Sequence, residues 1–424
     1  MSNYSTLEHV LEEILRVVKP LQEDWETRTR VIDALRRVIG SVESLRGARV
    51  EPFGSFASNL FTRWADLDIS IDLLNSSCIS SAGKRRKKHL LGDIQKALRT
   101  IGGWHGLQCI PNARVPILKF ESSLQGISCD LSIDNLQGQI KSKILLWISV
   151  IDARFRDMVL LVKEWAKAHD INNPKTGTFN SYSLSLLVIF HFQTCVPAIL
   201  PPLKDIYSGN IADDLQGVRA TAERHIAETC AANITRFRQQ KYRPVNRSSL
   251  SELFISFLEK FSNISLRAPE QGISSYTGQW EFVRMRLLPK TYALFIEDPF
   301  EQQENSARAV SRSNLTRISE AFQTTHRRLI TANQSQGFLL LDELVRPQIS
   351  RYIPRAPARN PTDNGRYYHQ YQYQQHPTRS QVERTLLSTT SQQFRNLRLE
   401  SRSSSSTLQN HNQGQHMWRA RSDR

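Results

Sequence analysis

Two aspartates two residues apart, Asp66 and Asp68, open the run Asp66-Leu67-Asp68-Ile69-Ser70-Ile71-Asp72-Leu73, in which polar and apolar residues alternate. A period of two is that of a half-buried strand, so the carboxylates share one face while Leu67, Ile69, Ile71 and Leu73 bury the other. Carboxylates held this way can grip a divalent cation if a third ligand joins them, and such a centre suits phosphoryl chemistry. Asp130 supplies one. It lies in a second alternating run, 127–134, whose Ile127, Cys129, Leu131 and Ile133 face away from it. Gly54-Ser55, ending eleven residues before Asp66, reads as a tight turn after a short apolar run. A lone Asp on a strand's polar face is usually just solvated; the turn, the paired Asp and the later Asp together are far more specific.

The elements that must hold these groups show in the periodicity. Ser5-Thr6-Leu7-Glu8 reads as a capping box for a helix striped by Leu7, Val10, Leu11, Ile14, Leu15 and Val18 and stopped by Pro20. Val31, Ile32, Leu35, Val38, Ile39 and Val42 mark a second helix. Beyond the acidic strand, a small-residue loop leads to Lys84-Arg85-Arg86-Lys87-Lys88 and a helix faced by Leu90, Leu91, Ile94 and Leu98. Five cations at a helix's positive end need solvent or phosphate. Residues 114–120, ARVPILKF less its first residue, read as a further strand, and 156–169 as a helix carrying Lys163 and Lys167 on one side. Ser181-Tyr182 then leads from a loop into an apolar helix.

With 424 residues and 39% hydrophobic content, the chain can fill two or three ordinary cores and carry a polar appendage. Its most apolar run, 184–200, is broken by His191, Gln193 and Pro197, and the first residues lack a signal-peptide pattern, so no membrane association is expected. Five cysteines without a CxxC pair argue against disulfide and zinc-ribbon scaffolds and for a reduced, intracellular protein. The net charge is +16, and residues 346–424 hold thirteen Arg, no Lys and four carboxylates. That bias favours a polyanionic partner, nucleic acid above all. The Pro, Gln, Ser, Arg and Tyr texture of this stretch, as in RYYHQYQYQQHP, predicts a disordered tail whose Arg and Tyr suit single-stranded RNA. No RRM, KH or zinc-knuckle pattern is present, so an RNA end would rest on the cleft and on basic surface, with weak sequence preference.

Gly54-Ser55, Asp66-x-Asp68 and Asp130, together with ARVPILKF, VKEWAKAHDIN, GTFNSYSLSLLVIFHFQTC and IEDPFEQ, resemble the terminal nucleotidyltransferases of the DNA polymerase β superfamily. The likeness runs over about residues 1–340 and, within that group, is to the plant small-RNA 3′-terminal uridylyltransferases. It implies an α+β fold: N-terminal helices at 1–45 packing on the helical domain, a mixed-sheet catalytic domain at 46–138, a helical central and PAP-associated domain at 139–345, and a disordered tail at 346–424. The implied activity is template-independent addition of uridines from UTP to the 3′ ends of small RNAs or RNA fragments, promoting their decay. A poly(A) polymerase-like adenylyltransferase and a catalytically silent RNA-binding scaffold are the rival readings.

By the same resemblance Asp66, Asp68 and Asp130 would hold Mg2+ or Mn2+. One cation would activate the RNA 3′-hydroxyl, with Asp130 as general base, and a second would neutralise the departing pyrophosphate. Gly54, Ser55, Lys163, Lys167 and Ser181 would meet the triphosphate, Tyr182 would stack on the base, and Glu301 and Asn305 would read its edge. Two positions depart from the family pattern. Lys141-Ser142 stands where relatives carry an Asn-Thr pair, with Ser142 keeping a hydroxyl for phosphate, and Glu304 stands where several carry a uracil-favouring His. A monomeric catalytic unit, an Argonaute-type partner, RNA-granule recruitment and a cytoplasmic or nuclear location complete the expectations that the resemblance carries.

Overall fold

Alternation at 67–71 yields the strand it predicts. In the computed structural model, which describes residues 3–73, 83–282, 292–302, 304–332 and 337–353, Leu67, Ile69 and Ile71 are fully buried. The loop at 74–82 and the tail beyond Ile353 lie outside the described residues. The strands are β1 (Arg49–Phe53), β2 (Leu67–Asp72), β3 (Trp104–Ile110), β4 (Ile117–Ser122) and β5 (Ile127–Ile133), in the order β1-β2-β5-β4-β3. β2 and β5 are parallel and the other pairs antiparallel. A parallel pair requires a crossover, and the chain makes it through the basic helix α4 (Lys84–Ile101), β3 and β4. The register sets Asp68 beside Asp130.

Leu90, Leu91, Ile94 and Leu98 of α4 join Val31, Ile32, Leu35, Val38 and Ile39 of α2 (Gln22–Gly40) in one core against the sheet. The opposite face of β2 is also covered, which the alternation does not foresee. There Asp72, 2% exposed, accepts from Ser70 Oγ at 2.6 Å, from Gln139 Nε2 at 2.9 and 3.0 Å, and ion-pairs with Arg219 at 2.8 Å. Its carboxylate is thus fully engaged in the fold, as a buried charge must be.

The remaining helices follow the sheet: α5 (Leu136–Ser149), α6 (Arg154–Ala168), α7 (Ser181–Thr194), the single turn α8 (Ile211–Asp214), α9 (Arg219–Arg238), α10 (Leu250–Phe261), the short α11 (Ile264–Arg267), α12 (Arg312–Thr331), α13 (Gly337–Leu344) and α14 (Pro347–Ser350). A two-stranded ribbon, β6 (Gln271–Ser274) and β7 (Gln279–Phe282), interrupts them. Mixed sheet and helices make the α+β class expected from the resemblance. No described helix is long and apolar enough to cross a membrane.

Tertiary contacts redraw two boundaries. Helix α1 (Asn3–Val18) begins before Ser5, and Glu8, expected to cap its own helix, instead accepts from Leu250 N at 3.3 Å and Ser251 N at 2.6 Å, capping α10. α1 packs on α6, α10 and α13, whereas α2 packs on α4 and β1, so the two N-terminal helices divide between the helical and sheet layers instead of both joining the helical domain. At the other end the folded part continues past Arg346. That side chain forms a two-pronged ion pair, at 2.9 and 3.0 Å, with the fully buried Glu164, and Ile349 and Ile353 are buried. Truncation after Val345 should therefore cost about 3–5 kcal/mol by stranding the Glu164 charge, while truncation after Ile353 should leave the urea midpoint near that of the full chain. Equal midpoints for the two truncations would refute this boundary.

Candidate active site

Gly54 opens the short helix α3 (Gly54–Ala57) with φ +68°, a conformation glycine adopts freely. A Cβ at this position would lie 2.0 Å from Asp68 Oδ2, so the missing side chain is what lets the turn close over the carboxylate. Ser142 of α5 anchors the turn: its Oγ accepts from Gly54 N at 2.8 Å and donates to Gly138 O at 2.6 Å. The hydroxyl expected to meet phosphate is thus committed to positioning the Gly-Ser turn.

All twelve of the residues singled out from the sequence line one cleft of about 700 Å³: Gly54, Ser55, Asp66, Asp68, Asp130, Ser142, Lys163, Lys167, Ser181, Tyr182, Glu301 and Asn305. A larger groove of about 1060 Å³, around His191, Lys260 and Arg267, contains none of them. Burial, reinforced by the negative charges of Asp130 and Asp66, pushes the Asp68 carboxyl up to about 7, and burial and Asp130 raise Asp66 as well. Asp130 is drawn onto Lys119 of β4, its cross-strand neighbour, whose Nζ lies 2.5 Å from both carboxylate oxygens. Among the described residues no three Asp, Glu, His or Cys side chains are gathered ready for a metal. The all-oxygen donor set and the mutual repulsion of the acids nonetheless fit a hard divalent cation, which Asp66, Asp68 and Asp130 would hold once the Asp130 carboxylate is free of Lys119.

Opposite these acids, α6 presents Lys163, 7% exposed, with Nζ donating to Leu60 O at 2.8 Å. Burial, helped by the nearby Lys167, brings its ammonium down to about 7. Lys167 is lowered by burial and then by Arg346. Ser181 at the start of α7 bonds Asn172 at 3.2 Å, and Tyr182 donates its hydroxyl to Asp298 Oδ1 at 3.2 Å. Burial and Asp298 hold the phenol protonated. Asp298 is saturated: Oδ1 also takes Phe300 N and Glu301 N, and Oδ2 takes Lys141 Nζ at 2.5 Å.

The two expected base readers part company here. Asn305 is spent on backbone, its Oδ1 accepting from Ile296 N and Ala307 N and its Nδ2 donating to Leu294 O. Glu301 bonds Lys141 at 2.9 Å through Oε2 only. Sequence reasoning missed Lys119, Lys141 as an ion-pair partner, Arg114 and Arg28. Alternation along ARVPILKF puts Lys119 on a polar face, the one signal available. That this face meets Asp130 depends on pairing between strands.

Residues 7–149 match the family model for the central palm domain of mitochondrial-like poly(A) RNA polymerase. Over 333 residues the chain is 61% identical to Arabidopsis thaliana protein HESO1, a match covering 78% of this chain and 65% of HESO1. Over these stretches the chain is similar to the polymerase-β-like terminal nucleotidyltransferases. It spans less than two thirds of HESO1's length, and a further relative, Danio rerio poly(A) RNA polymerase GLD2, is 30% identical over 317 residues, 72% of this chain and 58% of GLD2. Two solved structures share the fold: mtPAP in complex with UTP (TM-score 0.63, 20% identity, 84% of this chain and 73% of that one) and the Cid1 poly(U) polymerase (TM-score 0.61, 24% identity, 77% and 94%).

Proposed function

We propose that the chain is a template-independent RNA 3′-terminal uridylyltransferase using UTP. The observation that carries this reading is the meeting of Asp66, Asp68 and Asp130 with Lys163, Lys167, Ser181 and Tyr182 in one cleft, in a chain 61% identical to HESO1 over 333 residues. Mg2+ or Mn2+ bound by the three aspartates, as one ion or two, would supply Lewis-acid activation of the RNA 3′-hydroxyl and charge neutralisation at the pyrophosphate.

The rest is done by this chain's own groups. Asp130 Oδ accepts the 3′-hydroxyl proton after leaving Lys119, which frees that ammonium beside the RNA end. Burial lowers the Lys163 ammonium from its usual value, and triphosphate oxygens beside it would favour the charged form. Lys167 and Ser181 flank the same phosphates, and the Tyr182 ring, fixed by Asp298, offers a stacking face for the base. In this reading the RNA ends are those of small RNAs or cleavage fragments, tailing commits them to decay, and an Argonaute-type protein delivers them in cytoplasm or nucleus, with recruitment to RNA granules.

With a labelled single-stranded RNA, Mg2+ or Mn2+ and one nucleoside triphosphate at a time, the purified protein should extend best with UTP. Preferential extension with ATP would overturn the base assignment. No extension with any of the four would favour the silent RNA-binding scaffold.

A further inference from the structure

One corner of the cleft holds a carboxylate oxygen with nothing to accept. Glu301 is 7% exposed, and its Oε1 is buried without a hydrogen-bond partner among the described residues. Such an atom is costly unless a donor arrives with the substrate. Two cations reach the same side chain from different elements. Lys141 of α5 lies 2.9 Å from Glu301 Oε2, and Arg114, just before β4, lies 3.7 Å from it while bonding Glu304 at 2.9 Å. Lys141 also stands 5.7 Å from the centroid of the Tyr182 ring. Glu301 is the shared partner, so an acceptor sits between two donors beside an aromatic face. Lys141 spends two of its three N–H groups on Asp298 and Glu301, and Arg114 has N–H groups to spare.

We propose that Lys141 and Arg114 are the specificity-determining residues of this cleft, donating to the two carbonyl oxygens of uracil while Glu301 accepts its N3–H. The inference rests on the uridylyltransferase reading and deepens it. Along its pairing edge uracil runs acceptor, donor, acceptor, which complements donor, acceptor, donor at all three positions. Cytosine places a lone pair where Glu301 needs a proton, and adenine does the same with N1. Guanine puts its 2-amino group against a cation. A site built to hydrogen-bond one edge rejects the others because its buried groups are left unpaired. The two cations, one on α5 and one just before β4, thereby do what Glu304, an acceptor only, cannot do from its own position.

The test compares kcat/KM for UTP, CTP, ATP and N3-methyl-UTP on one oligoribonucleotide, using the full chain and its Lys141→Met, Arg114→Met and Glu301→Gln variants. Each Met variant should lower the UTP-over-ATP ratio about tenfold, the scale of one charge-assisted hydrogen bond, and the variant that loses the donor to uracil O4 should lower UTP over CTP as well, because cytosine keeps O2 but not O4; the KM for RNA should stay within about twofold of wild type. Wild type should reject N3-methyl-UTP strongly, and Glu301→Gln should reject it about tenfold less. A parallel fall in rate for every nucleotide, with the ratios unchanged, would mean that these residues are structural and would overturn the inference while leaving the UTP reading intact. ATP preference in the wild type would instead overturn that reading. Arg114 is half exposed, so its variant stays informative even if Lys141→Met folds poorly.

Discussion

Replacing Asp66 and Asp68 together by Ala should lower nucleotide addition to an RNA 3′ end about a thousandfold while leaving the protein folded. Lewis-acid stabilisation of phosphoryl transfer amounts to several kcal/mol, and each 1.4 kcal/mol or so is a factor of ten. Both side chains stand where like charges repel, so removing them relieves strain in the metal-free protein. The pH dependence gives this a sign. Asp68's folded value, about 7, lies above the ordinary carboxylate value, so the folded state holds that proton more tightly than the unfolded chain. Its contribution to stability is therefore present at low pH and is lost as pH rises through the ordinary carboxylate range to about 7. Without metal, the double variant should melt higher than wild type at pH 8, and the difference should shrink toward pH 5. Undiminished tailing by the variant would remove these carboxylates from the reaction, and a lower melting temperature at pH 8 would contradict the electrostatic account.

Arg28→Ala should destabilise the protein by about 2–4 kcal/mol and, at a temperature where the variant remains folded, lower kcat by tenfold or more. Arg28 lies in α2, outside the sheet, yet it is only 1% exposed. Its Nη2 donates to Arg63 O at 2.9 Å and Ala65 O at 2.6 Å, its Nη1 to Asp24 O at 3.1 Å, and its guanidinium packs 4.8 Å from the Phe61 ring centroid. One side chain thus pins the loop that delivers Asp66 into the cleft. Truncation leaves two carbonyls unpaired, at about 1–3 kcal/mol each for fully buried groups, and opens a cavity. Arg28→Lys keeps the charge but loses the fork that spans both carbonyls, so it should recover only part of the loss. A urea midpoint and single-turnover rates separate the two effects. Normal kcat in folded Arg28→Ala would show that the loop keeps its place unaided.

Lys87, in the basic run opening α4, shows how a charge cluster resolves once folded. Burial lowers its ammonium's pKa, its Nζ reaches Asp134 O at 3.4 Å, and Lys84 and Lys88 bond Asn112, while Arg85 and Arg86 stay exposed. Part of the run therefore ties α4 to the ends of the sheet. The exposed part, Arg85 and Arg86, stays free to meet solvent or phosphate.

What the sequence by itself determined was local. The two-residue alternation around Asp66 and Asp68, the stripes of α2 and α4, and the lysines spaced four apart on α6 need only near neighbours to declare themselves, because strand and helix periods are properties of a few residues. The same alternation nominated Asp130, and the resemblance added the far wall of the cleft. Tertiary structure decided which hydrogen bonds each polar group makes, because those partners lie tens to hundreds of residues away. Only the parallel register of β2 and β5 places Asp130 by Asp68, and only the β4 pairing sets Lys119 on it. Ser142 becomes an anchor for Gly54, Glu8 caps α10 and not its own helix, and Asn305 is consumed by backbone while Glu301 keeps one oxygen open. Residue type and spacing can nominate such side chains, but burial compels each polar atom to find a partner, and which atom is left for substrate follows from how the distant segments meet.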